Sequence, residues 1–81
     1  VKDAECLVVT GEPSSALLCR LLGLLAQLDL PAPQMTVTLQ GDHMAVEMHV
    51  APFGDQPLVI LAHKAARLIG IDHVSLNGRT I

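Results

Sequence analysis

The chain carries a single aromatic residue, Phe53, and neither tryptophan nor tyrosine. Proteins that hold single-stranded nucleic acid stack its bases on aromatic rings, so this scarcity argues against that binding mode. Positive charge is also sparse: five lysines and arginines stand against eight aspartates and glutamates, for a net charge of −3. There is no basic run, and with it goes the electrostatic attraction that drives binding to a phosphate backbone. Only two cysteines occur, Cys6 and Cys19. They lack a CxxC spacing and have no second pair, which excludes a four-cysteine zinc framework, and disulfide-stapled domains of this size carry more of them. Two reduced, mostly buried thiols in a cytoplasmic protein are expected.

Long apolar runs are absent too. The greasiest stretch, Ala16 to Leu30, spans 15 residues and contains Arg20, Gln27 and Asp29. A membrane-spanning helix needs about 20 predominantly apolar residues. A signal peptide would need a basic start and a small-residue cleavage site, whereas here a strand-like run and a turn come first. No glycine-rich phosphate loop or zincin pattern occurs, and Ser14, Ser15 and Ser75 have no histidine and aspartate partners at a defensible spacing. Catalysis is not expected.

What remains is aliphatic. The 81 residues are 51% hydrophobic, with mean hydropathy +0.49, dominated by leucine, valine, isoleucine and alanine. This is enough for one domain, residues 1–81, with no linker, repeat or low-complexity segment. A chain this short buries only about 60% of its unfolded surface, so a partner surface would help to stabilise it. It begins at Val1 rather than at a methionine, which leaves room for a segment upstream.

Periodicity orders the elements. Ala4 to Thr10 is a short strand, apolar on both parities at its centre, as suits a central position. Gly11-Glu12-Pro13 breaks it, and Ser14 or Ser15 can cap a helix. Leu18, Leu21, Leu22, Leu25 and Leu28 then recur at helical spacing, with Leu17 and Leu24 widening the stripe. Prolines 31 and 33 cannot continue that helix. Gln34 to Gln40 and His43 to Val50 both alternate, and Gly41-Asp42 between them signals a hairpin with one buried and one more polar face. Pro52, Gly54 and Pro57 mark a loop, with Pro57 suited to a first helical turn. Leu58, Leu61, Ala62, Ala65, Leu68 and Ile69 repeat at helical spacing, and Gly70 can close that helix in the left-handed conformation. Ile71 to Leu76 is the final strand expected, followed by an Asn77-Gly78 turn. The order βαββαβ predicts an α+β, ferredoxin-like sandwich, a four-stranded antiparallel sheet with two helices on one face.

At this level of detail the stretches "EPSSALLCRLLGLLAQLDL", "MAVEMHV" and "KAARLIGIDHVSL" resemble the ACT domain family, most of all the small regulatory subunits of acetolactate synthase. Arg20 and Gly23 fall in the family's helix pattern, and Arg67-Leu68-Ile69 with Ile71 and Val74 in its C-terminal pattern. The resemblance covers nearly the whole chain but rests mostly on apolar positions. It implies a non-catalytic regulatory domain in branched-chain amino-acid synthesis. It also implies a homodimer, binding to the large catalytic subunit, and a branched-chain amino acid as effector. A stand-alone sensor of an amino acid or small anion, binding near a dimer seam, is the alternative.

The ligand-binding candidates are Gly11, Glu12, Ser14, Ser15 and Ala16, at the start of the first helix. The positive end of a helix dipole attracts a carboxylate there, and glycine lets the ligand approach the backbone. Serine and alanine stand where the family carries Pro-Gly, which narrows the approach and counts against a valine site. The same residues also read as ordinary capping chemistry. No cofactor or metal is expected. His43, Glu47 and His49 share one strand face, but neighbours on that face lie about 7 Å apart, too far for one ion without help from another strand. His63 and His73 read as exposed. The stripe containing Leu17 and Leu24, and the hairpin face of Thr36, Thr38, Ala45, Glu47 and His49, are candidate contact surfaces.

Overall fold

A computed structural model describes residues 5–50 and 56–81. Their elements are β1 (Glu5–Gly11), α1 (Ser15–Gln27), β2 (Gln34–Gln40), β3 (His43–Val50), α2 (Gln56–Ala66), β4 (Ile71–Leu76) and β5 (Arg79–Thr80). The expected loop at Pro52 and Gly54, and Ala4 at the start of the first strand, lie outside the described residues. The strands form one antiparallel sheet in the order β2-β3-β1-β4-β5. Its first four strands have the order of a ferredoxin-like sandwich. The sheet has five strands rather than the four expected. Asn77 and Gly78 both have positive φ, 51° and 84°, the requirement of a two-residue type I′ turn, and they fold Arg79–Thr80 back onto β4.

One face of the sheet carries the core. Registers place Leu7 opposite Met48, and Val9 between Val46 and Val74, so their side chains form rows on a single face. Leu17, Leu21 and Leu25 of α1 and Leu58, Leu61, Ala62 and Ala65 of α2 pack on those rows in one buried cluster. No buried polar or charged residue interrupts it among the described residues. Burial at about 25 cal/mol per Å2 of apolar surface is therefore the main stabilising term.

The helix stripes differ from expectation in detail. The seam of α1 is centred on Leu17, Leu21 and Leu25, whereas Leu22 is 46% exposed. Leu17 is buried against the sheet, so it cannot serve as an outward contact surface. The helix starts at an N-cap, the Leu17 N–H donating to Ser14 Oγ over 3.2 Å. It ends before the prolines, by a left-handed cap. Asp29 has φ 55°, its N–H donates to the Ala26 carbonyl, and the Leu30 N–H donates to the Leu25 carbonyl. That pair of bonds is the Schellman pattern, with aspartate in the place glycine usually takes.

The second helix stops at Ala66, four residues before Gly70, because tighter turns replace its ladder. The Arg67 and Leu68 N–H groups donate three residues back, to Lys64 and Ala65. Ile69, expected on the apolar stripe, is consequently 87% exposed. Gly70 keeps its left-handed φ of 98° and meets the end of β1. A Cβ on Gly11 would sit 2.2 Å from the Gly70 carbonyl oxygen, and the Glu12 N–H donates to that same oxygen over 2.9 Å. Two glycines thus let β4 enter against the turn that leads into α1.

Candidate functional site

Ser14 and Ser15 line a cleft of about 180 Å3, together with Pro13, Leu18, Val37, Leu39 and Met44. Three elements build it. The turn after β1 supplies the serines, the first turn of α1 supplies Leu18, and the β2–β3 hairpin supplies the apolar wall. That wall exists because β2 is an edge strand. Met35, Val37 and Leu39 lie opposite Met48, Val46 and Met44, on the helix side of the sheet. The hairpin was expected to bury this row. On β3 it does, but on β2 Val37 is 40% and Leu39 66% exposed, because the helices cover the central strands and stop short of the edge.

The lining of the cleft mixes two serines with apolar side chains. Ser14 uses its oxygens inward, accepting from the N–H groups of Leu17 and Leu18, and its hydroxyl proton remains free to donate. The N–H groups of Ser15 and Ala16 belong to the first turn and have no acceptor within the helix. Leu18, Val37 and Leu39 line the same cleft. Ser14 and Ser15 at this turn leave the space beside it open.

Of the sequence candidates, the structure gathers Ser14 and Ser15 at the cleft. Gly11 is buried against Gly70, the Glu12 side chain lies beside Gly70, and Ala16 is exposed on the helix; none of the three is among the lining residues. Pro13, Leu18, Val37, Leu39 and Met44 were not singled out from sequence. The signal was present in the alternation of β2. Its apolar parity faces the helices, and the βαββ order sets that strand at the edge beyond α1.

A second cluster lies on the opposite face of the sheet. Cys6 on β1 is the register partner of His49 on β3, and His49 Nε2 meets Glu47 Oε2 at 2.7 Å. The potential ligand atoms of Cys6, Glu47 and His49 all lie within 4.8 Å of one another. Partial burial, and secondly the Glu47 carboxylate, push the Cys6 thiol above its ordinary pKa. Asn77 fixes the strand here: its Oδ1 accepts from the Cys6 N–H over 2.9 Å, its own N–H donates to the Cys6 carbonyl, and its amide reaches Glu5. His43, grouped with Glu47 and His49 from sequence, leans instead towards Asp42 and Asp72 at 3.5 and 3.8 Å. Neither thiol is buried as expected: Cys6 is half-buried and Cys19 exposed, and both are unpaired. No helix among the described residues is long and apolar enough to cross a membrane.

A two-helix, antiparallel α+β sandwich with the strand order β2-β3-β1-β4 defines the ferredoxin-like class of small domains, among which ACT domains are typically regulatory and non-catalytic. Residues 2–80 match the ACT-like domain family, and the chain belongs to it. Among solved structures, the chain is similar to the ACT domain from GTP pyrophosphokinase of Chlorobium tepidum. Its crystal structure has 13% identity and a TM-score of 0.76, covering 93% of this chain and 99% of that one. The solution structure of the same domain gives 12% identity and a TM-score of 0.74, over 93% and 85% of the two chains. The C-terminal domain of the MgtC protein from Mycobacterium tuberculosis gives 12% identity and 0.64, over 91% and 84%. These likenesses establish the fold. No curated protein matches the chain.

Proposed function

We propose that this chain is a non-catalytic regulatory domain that takes a small amphiphilic carboxylate, an aliphatic amino acid, in the cleft at the start of α1. The observation that carries this is the mixed lining of the cleft: Ser14 and Ser15 at the start of α1 together with Leu18, Val37 and Leu39. Helix starts favour a carboxylate, and the apolar wall suits an aliphatic side chain. At about 180 Å3 the space falls below the roughly 300–1,000 Å3 of pockets that hold drug-sized ligands, which favours a small metabolite over a nucleotide.

The domain works as a homodimer paired along β2, where a second copy would wall the open side of the cleft. Its occupancy shifts the conformational equilibrium of a catalytic partner, by no more than the difference in affinity between the partner's two states. On the resemblance quoted above, that partner is the large subunit of acetolactate synthase. Two unpaired thiols favour a reducing, cytoplasmic setting.

Calorimetry with valine, leucine and isoleucine, set against lysine and aspartate, tests the ligand. Heat is expected with the aliphatic amino acids alone, and its loss in a Ser15→Leu variant, which replaces a lining hydroxyl at an exposed position. No heat with any amino acid refutes the site. Assaying the synthase large subunit with and without this chain tests the partner, and unchanged activity removes it.

A further inference from the structure

We propose that Cys6, Glu47 and His49 form a binding site for a thiophilic divalent cation of the zinc class, on the sheet face opposite the helices. The sequence objection to a metal was distance, since Glu47 and His49 are two residues apart on one strand. The structure answers it twice. Their side chains lean together until His49 Nε2 and Glu47 Oε2 are 2.7 Å apart, and β1 adds a third donor, Cys6, as the register partner of His49.

The strand pairing explains why the third donor is so near. Both the N–H and the carbonyl of Cys6 are bonded to Asn77 on the β4 side. They are therefore turned away from β3, which makes Cys6 and His49 a non-hydrogen-bonded pair. Such pairs bring the Cα atoms to about 4.5 Å and the side chains closer than in the alternative. All three ligand atoms lie within 4.8 Å of one another. Tetrahedral zinc with its usual bond lengths needs ligand separations of about 3.4–3.6 Å. Reaching them requires the thiol to close in and the histidine–carboxylate contact to open slightly. The ligands stand on β1 and β3, central strands of the sheet, which is a firmer base than a loop.

The donor types select the metal. A thiolate disfavours magnesium and calcium, and a carboxylate disfavours copper(I), whereas sulfur, imidazole nitrogen and carboxylate oxygen together suit zinc. Charge balances as well: thiolate and carboxylate supply −2 against the +2 of the ion. On binding, the thiol proton is released to solvent, and the imidazole proton resides on Nδ1, freeing the Nε2 lone pair. Three protein donors leave a fourth position for water. This site shares no residue with the cleft beside α1.

Cobalt(II) is the probe. Added to the reduced full chain, it is expected to give one equivalent of a thiolate-to-cobalt charge-transfer band and the intense d–d bands of four-coordinate cobalt, both bleached by zinc(II). Cys6→Ser removes the charge-transfer band, and Cys19→Ser retains it. Glu47→Gln and His49→Gln, at exposed or half-buried positions, weaken binding at least roughly tenfold, a loss that even outer-shell changes can cause. Amide NMR spectra verify the fold of each variant. Absence of the band in the wild-type chain overturns the proposal, as does a band that survives Cys6→Ser and disappears in Cys19→Ser.

Discussion

Cys6 and Cys19 share a chain but not an environment. Cys19 is exposed on α1, while Cys6 is half-buried on β1 with the Glu47 carboxylate beside it. Partial burial, then the neighbouring negative charge, raise the Cys6 pKa, so its thiolate forms only at higher pH than usual. The folded state therefore holds this proton longer than the unfolded chain does. Stability from this group is complete below the ordinary thiol range and falls as pH rises through that range towards the raised value. Reactivity follows the thiolate fraction. In metal-free protein, iodoacetamide is expected to alkylate Cys6 more slowly than Cys19, with a pH midpoint displaced upward. Glu47→Gln removes the like charge and is expected to bring that midpoint down; peptide mass spectrometry across a pH series reads both. An unchanged Cys6 midpoint in Glu47→Gln would show that burial alone sets it.

At the scale of elements, the two neighbouring leucines of α1 separate what periodicity can and cannot say. Leu21 is fully buried against the sheet, and Leu22 is 46% exposed. Leu21→Ala is expected to cost about 2–5 kcal/mol, the range for a buried leucine whose cavity relaxes only in part. Leu22→Ala is expected to cost under about 1 kcal/mol, as for a partly exposed position away from special features; urea unfolding midpoints compare them. From sequence the two were equivalent, because a stripe of seven leucines in one helix leaves its centre undetermined. The hairpin was more legible. Alternation in both strands around Gly41-Asp42 fixed its register, since a one-residue slip would turn Met44, Val46, Met48 and Val50 out of the core. Two features were hidden for physical reasons. A two-residue β5 is too short to show any period, although its Asn-Gly turn was visible. The cleft depends on how far the helices extend over β2, a tertiary quantity that no local pattern encodes. Proximity of Cys6 to His49 likewise needs the pairing of β1 with β3, strands separated in the chain by a helix and a third strand.

For the whole molecule, the two sheet edges are unequal. β4 is covered by the short β5, whereas among the described residues β2 has no neighbour on its outer side, and it exposes Val37 and Leu39. Open apolar edges invite pairing with another chain, and natural proteins protect them with charge when they must stay single. β2 carries no charged residue, only Gln34, Thr36, Thr38 and Gln40 between its apolar side chains. Light scattering is therefore expected to give twice the chain mass at micromolar concentration, with a thermal midpoint that rises with protein concentration, as mass action requires of a dimer. Leu39→Lys places a charge on the edge at a position 66% exposed, so the isolated fold should lose no more than about 0.5 kcal/mol. The variant is expected to scatter as a monomer with a concentration-independent midpoint. If the partner's edge walls the cleft, valine is expected to tighten the wild-type monomer–dimer equilibrium, because binding and association must be reciprocally linked; lost heat in the variant is no test of the seam, since Leu39 itself lines the cleft. A monomeric wild-type chain would remove the dimer. A monomeric Leu39→Lys chain that still bound valine would place the whole site within one copy, and β2 pairing would then serve association alone.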